Sequence, residues 1–451
     1  MQFNGKKYLL VVVSVLGSVC AFAQSTVTRA ELANKVNTIT TAVPFLRIVG
    51  DTRSGGMGDV GIAISPDANG AQLNGAKMAF IDKDFGVGLS FTPWLKSLVG
   101  DIYLANLTGY YRIKKVQTVH MSLRYFSLGQ IQYTDESGNN TIQVHPNELF
   151  VDAGYSRRFG DIAAVGATLR FIYSNIAPNA GTVIPGNKPG IAGAADITAM
   201  VDKHFENKKG GDISHELLWG IAITNLGSKM SYTSNVVKDF LPANLGIGFG
   251  YKVHLDREDK HTVGAYVDVN KLLVPTPQYV YDSTSGTNKP STTYKNQGVI
   301  SGVVSSFYDA PGGAMEELHS ISVGVGAEYF YKKMFGLRMG YFYEHPTKGN
   351  RKFLTVGATI KYNVATLHMS YLVPTSNQRN PLDNTFSFSL TFEFNKGGQK
   401  KAVDETPADN VTPTPAGAPV PSGKPVKKNK SEGGPQEQDK SEPNPLGNGQ
   451  N

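Results

Sequence analysis

A chain of 451 residues with 40% hydrophobic and 10% aromatic residues, 49 glycines and a formal net charge of +7 is long enough for one large sheet structure. Its mean hydropathy lies below zero, which excludes a bundle of membrane-spanning helices. The mild basic excess suits a surface facing anionic lipid, and no aromatic and basic interleaving accompanies it to mark a nucleic-acid binder.

The one long apolar run, Tyr8 to Val19, stands behind Lys6 and Lys7 and ends in Ala21-Phe22-Ala23, the layout of a secretory signal peptide expected over residues 1–23. Twelve apolar residues fall short of the ~20 that a spanning helix needs, so a membrane form of this chain has to be a barrel. The single cysteine, Cys20, belongs to that leader, which leaves no disulfide chemistry after it. Residues 24–84 follow as a polar and then Gly-rich stretch, read as a plug ahead of the first strand.

From Phe85 to Phe394 the pattern is all-β. Strands are predicted at 85–92, 101–113, 116–133, 147–159, 162–175, 191–203, 215–226, 242–255, 261–271, 319–331, 336–344, 351–362, 366–373 and 384–394. Fourteen is the even number that a single-chain transmembrane antiparallel β-barrel requires. The last strand shows the alternation best: Phe386, Phe388, Leu390, Phe392 and Phe394 point one way, and Ser387, Ser389, Thr391 and Glu393 the other. A soluble sandwich also alternates, but it seldom ends on five large apolar side chains.

The connections alternate long and short, so the short ones (114–115, 160–161, 332–335 and 363–365) are expected on the periplasmic side and the long ones outside. The longest, Leu272 to Leu318, is too long for a plain connection. From Asn395 the chain has no aromatic residue and nine of the 24 prolines, the composition of a disordered Pro/Lys-rich periplasmic tail over 395–451.

Enzyme signatures are missing: there is no Gly-x-Ser-x-Gly elbow, no His-Glu-x-x-His and no phosphate-binding loop. The nine histidines are scattered, and no metal site or cofactor is expected from them. Asp67-Ala68-Asn69-Gly70 reads as an Asx-type turn.

Three stretches stand out. Gly55, Gly56, Met57, Gly58 and Asp59, with Asn74 further on, suit a plug that packs closely inside a narrow lumen. Lys271, Leu272, Leu273, Val274, Pro275, Thr276 and Pro277 leave a strand as an apolar, Pro-stiffened run. Phe307, Tyr308, Asp309, Ala310, Pro311, Gly312 and Gly313, followed by Glu316, Glu317 and Leu318, combine aromatics, a tight turn and paired acids. Exposed apolar groups on a stiff loop suggest a protein-docking surface, and a lid folded over the barrel mouth is the alternative.

These stretches, together with Pro44-Phe45-Leu46, Glu328-Tyr329, Gly340-Tyr341-Phe342 and Ser370-Tyr371-Leu372-Val373-Pro374, closely resemble the PorV family of the Bacteroidetes type IX secretion system, within the FadL-like barrels. The resemblance implies a fourteen-stranded barrel without enzyme activity that binds the C-terminal signal domains of secreted cargo. It also implies partners: a translocon barrel (SprA or Sov), an attachment complex with the sortase PorU, and outer-membrane lipid and lipopolysaccharide. Gly75 departs from such plugs, where Pro commonly follows the Asn, and the tail beyond the last strand is an extension. The second reading is a FadL-like transporter of hydrophobic small molecules.

Overall fold

The computed structural model describes residues 36–94, 100–135, 137–178, 186–205, 213–233, 238–282, 287–375 and 385–396. The expected leader lies outside these residues, as does all but the start of the expected tail.

Among the described residues eighteen strands follow one another. They are β1 (Phe85–Pro93), β2 (Ile102–Lys114), β3 (Gln117–Leu128), β4 (Ile131–Thr134), β5 (Asn140–Val144), β6 (Asn147–Phe159), β7 (Ala163–Asn175), β8 (Gly190–Phe205) and β9 (Ser214–Gly227), then β10 (Asn244–His254) and β11 (His261–Leu272). After them come β12 (Tyr279–Asp282), β13 (Thr287–Pro290), β14 (Ile321–Tyr331), β15 (Phe335–Tyr343), β16 (Lys352–Tyr362), β17 (Ala365–Pro374) and β18 (Phe386–Phe394). Fourteen of these close into one antiparallel barrel, while β4–β5 and β12–β13 are separate hairpins in its long loops. Closure is direct: β1 pairs with β18 from Phe85↔Phe394 to Phe91↔Phe388.

The predicted alternation decides which face each residue takes. Leu89, Met121, Leu169, Ile197 and Leu337 stand exposed on the outer wall, and Phe85, Tyr111, Phe159, Phe335 and Tyr362 add exposed aromatics at the short-turn end. That is the apolar band with an aromatic rim of a lipid-facing barrel. Their strand neighbours Thr108, Thr118, Ser122, Thr168, Thr198 and Thr359 are buried in the interior. No helix among the described residues is long and apolar enough to cross a membrane.

One expectation needs correction. The third strand does not run to Tyr133: the chain turns away at Gly129, the Gln130 N–H is taken by the Asp101 carboxylate, and Ile131–Thr134 pairs with Asn140–Val144 instead. The loop from Leu272 to Leu318 has structure of its own, in keeping with its length. It holds the β12–β13 hairpin, a 3-10 turn at Thr293–Asn296 and the helices Val299–Ser305 and Ala314–His319.

Residues 36–84 fill the interior. A strap from Val36 to Ala42 lies at the long-loop end, where the Asn37 N–H donates to Thr347 O and the Ala42 N–H to Phe240 O. The chain then enters the lumen through the 3-10 turn Pro44–Arg47, whose Phe45 packs among Trp94, Leu104, Phe126, Phe150 and Ile172. The short helix Thr52–Gly55 follows, capped by the Asp51 carboxylate on the N–H groups of Arg53 and Ser54. The 3-10 turn Gly75–Phe80 brings the chain to β1.

Candidate functional site

Two places collect the residues singled out by sequence: the contact between plug and barrel wall, and the cap over the long-loop mouth.

At the first, Gly55 to Asp59 pack backbone to backbone against wall glycines. A side chain at Gly340 would meet the Met57 carbonyl carbon at 2.0 Å, one at Gly326 would meet Met57 O at 2.6 Å, and one at Gly357 would meet the Gly56 Cα at 3.2 Å. Gly58 takes φ +68, a conformation that costs other residues, and its N–H donates to Thr355 Oγ1 at 2.8 Å. Asp59 follows at φ +63. Asn74 is fully buried. Its Oδ1 accepts from the Ala76 N–H, and its amide donates to Ile62 O at 2.9 Å and to Ala199 O at 3.2 Å, joining two parts of the plug to the wall. Asp67 accepts from the Asn69 N–H, which makes the expected Asx turn.

Charge fixes the plug as firmly as shape does. The Arg53 guanidinium forks onto both oxygens of Glu328 at 3.0 and 2.8 Å and reaches Asp67 at 3.1 Å, while Arg338 supplies a second cation to Glu328 at 2.5 Å. Arg53, Glu328 and Arg338 are all buried. Asp268 accepts the N–H groups of Gly61 and Ile62 at 2.7 and 2.9 Å. The sequence reading did not assign a role to these residues. The available signal was a charged residue alternating with lipid-facing ones inside a spanning strand, since such a charge needs a partner within the lumen.

Beside the plug at the long-loop end lies a cavity of about 430 Å³. Phe45, Trp94, Ile102, Phe126, Leu128 and Leu372 line it, with Arg47 and Arg351 at its edge.

The cap brings the other two stretches together. The Asp309 carboxylate accepts the Thr276 N–H, the Gln278 amide donates to Asp309 O at 2.5 Å, and the Ala310 N–H donates to Glu317 Oε1 at 2.8 Å. Lys271 Nζ reaches Glu317 Oε2 at 2.8 Å and lies 5.9 Å from the Phe307 ring centre. Glu316 accepts from the Gly312 N–H at 2.7 Å, from the Asn37 amide at 3.0 Å and from Lys348 Nζ at 2.5 Å. Burial alone would raise the Glu316 carboxyl, but Lys348 and the Gly312 N–H outweigh it and hold it below its ordinary value. At Asp309 burial wins over the Thr276 N–H and pushes the carboxyl up.

Which side chains face outward differs from the expectation. Leu273, Val274, Pro275, Thr276 and Pro277 are buried. Val274 packs with Ile39, Phe240 and Tyr294, with Leu272 against them. Leu273 to Pro277 are apolar because they form the floor of the cap, while Lys271 and Leu272 stay half-buried. Pro311, Gly312 and Gly313 are exposed on the turn. The exposed apolar groups of the loop are Tyr279 and Val280, then Ile300, Val304, Phe307 and Tyr308, then Met315 and Leu318. Phe307, Tyr308 and Leu318 fall in the stretch singled out by sequence; Ile300 and Val304, four apart on the helix Val299–Ser305, were the missed signal.

A closed fourteen-stranded barrel with an apolar outer band, an interior plug and a structured cap is an outer-membrane type of protein. The family model described as "Type IX secretion system protein PorV" matches residues 31–279. That is more than half of the chain, and the chain belongs to this family. The match covers the plug and the strands through β11, and the turn with Phe307 and Glu317 lies beyond it. Among solved structures, the toluene transporter TbuX of Ralstonia pickettii is 14% identical over 76% of this chain and 97% of its own, with a TM-score of 0.39. The toluene transporter TodX of P. putida is 11% identical over 76% and 98%, with a TM-score of 0.42. A FadL homologue of Pseudomonas aeruginosa is 11% identical over 80% and 100%, with a TM-score of 0.36. No curated protein sequence matches the chain.

Proposed function

We propose that this protein is a non-enzymatic shuttle of type IX secretion. It sits in the outer membrane with its long loops outside and its Pro/Lys-rich tail in the periplasm. At the cap it binds the C-terminal signal domain of cargo leaving the translocon, and it delivers that cargo to the cell-surface attachment complex.

The observation that carries this reading is the cap itself. Ile300, Val304, Phe307, Tyr308, Met315 and Leu318 are exposed, on a frame tied down by Asp309, Glu316 and Glu317. Apolar groups held in place before binding lose little entropy when a partner covers them, and aromatic anchors contribute most to such contacts.

The test is binding of a purified cargo C-terminal domain to the detergent-solubilised barrel, comparing wild type with a Val304→Asp, Tyr308→Asp variant that still shows the heat-modifiable mobility of a folded barrel. The wild type is expected to bind and the variant to lose at least tenfold. Equal binding by both, or binding by neither, ends the cap reading. The cavity lined by Phe45, Trp94 and Phe126 favours the second reading, transport of a hydrophobic small molecule. A bound lipid or fatty acid that co-purifies with the barrel, with no cargo binding, would put that reading first.

A further inference from the structure

At the short-turn end, four lumen-facing positions line up across three strands. Asp202 and His204 are two apart on β8 and so share a face, His204 pairs with Glu216 on β9, and Glu216 pairs with Lys252 on β10, with His254 two residues on. Donor atoms of Asp202, His204 and Glu216 all lie within 4.8 Å of one another.

Asp202 is the group that the rest of the fold leaves unexplained. Its side chain is 10% exposed, and no Lys or Arg among the described residues pairs with it. Its Oδ1 lies 3.2 Å from His204 Nε2, yet it has no aligned hydrogen-bond donor among the described residues. Two other buried lumen acids, Asp152 and Asp196, are satisfied by the Arg170 guanidinium. The 3.2 Å between Asp202 Oδ1 and His204 Nε2 is close to the spacing of two ligands on one tetrahedral zinc ion.

The surroundings fit the same chemistry. His254 Nε2 stands 3.3 Å from Glu216 Oε2, and Asp259 Oδ1 lies 2.8 Å from its Nδ1. A cavity of about 500 Å³ lined by His204, Glu216 and His254 gives an ion a way in. Mixed imidazole and carboxylate donors favour zinc over calcium or magnesium, which prefer oxygen alone.

We infer that Asp202, His204 and Glu216 form a zinc-class divalent cation site at the short-turn mouth of the barrel, with His254 as the adjoining fourth donor. Lys252, whose Nζ lies 2.7 Å from Glu216 Oε2, is the built-in competitor of that ion. Binding would tie β8 to β9 and β10 where the chain faces the mouth.

The test is calorimetric titration of zinc into the folded, chelator-treated barrel, with mobility on heating as the folding check. One equivalent is expected, weakened at least tenfold by Asp202→Asn or His204→Gln and tightened by Lys252→Gln, with calcium unable to compete. A merely structural ion pair would not gain from loss of Lys252. Absence of stoichiometric binding to the folded barrel overturns the site, and so does binding that survives both Asp202→Asn and His204→Gln, which would be adventitious.

Discussion

The plug and the cap are both folded against the same barrel, but they are held by different means. Around Met57 and Gly58 the plug touches the wall through backbone, with a buried guanidinium fork to Glu328 behind it. The cap is held by half-buried carboxylates that accept from backbone N–H groups at Thr276, Ala310 and Gly312. The first contact has no room and no solvent to relax into, so small changes are costly there. The second can lose one hydrogen bond and keep the rest.

Four measurements test this difference between plug and cap. Gly340→Val has the largest expected effect. Its side chain would lie 2.0 Å from the Met57 carbonyl carbon, so the plug cannot stay seated, and the variant is expected to lose the heat-modifiable folded form. Full retention of that form would show that the plug is loose.

Arg53→Ala comes next. It leaves Glu328 buried with one of its two cations gone, and a loss of about 3–5 kcal/mol in denaturant unfolding is expected from breaking a buried pair. A loss below ~1 kcal/mol would mean that water reaches Glu328.

Asp309→Ala removes the acceptor of the Thr276 N–H in the cap. About 1–2 kcal/mol of local stability should go, seen as faster hydrogen exchange in residues 273–278 with barrel unfolding unchanged. If the barrel unfolds earlier as well, cap and wall are one unit.

The smallest effect is a pH dependence at the cap's edge. The His345 ring stacks on His319 with centroids 3.6 Å apart, and burial, then His319, Lys352 and Lys348, lower its pKa from 6.5 to about 4. The folded state therefore favours the neutral ring. Its contribution is complete above about pH 6.5 and fades as the pH falls towards 4. Proteolysis in residues 314–320 should rise over that window, and His345→Gln should remove the dependence. A flat profile in the wild type would separate the stack from cap stability.

How much of this was legible in the chain differs between the two regions. The Gly55 to Asp59 run announced a close approach through its composition, but the wall glycines it meets, Gly326, Gly340 and Gly357, read in sequence only as small residues in strands. The Lys271 to Pro277 and Phe307 to Glu317 stretches are joined as two halves of one cap. Which half faces outward was not legible, because an apolar residue in a loop reads the same whether it lines a floor or a surface. The helix that carries Ile300 and Val304 was short enough to pass for loop.

The barrel was legible in the order of residues alone. Side chains two residues apart share a face of a strand, so apolar alternation with turn residues between is enough to give fourteen strands and their lipid side. What meets inside the barrel follows from the three-dimensional fold. Strand register set His204 opposite Glu216 and Glu216 opposite Lys252, and the path of the plug brought Arg53 to Glu328 across 275 residues of chain. Such contacts depend on shear and closure of the whole sheet, which no local pattern encodes.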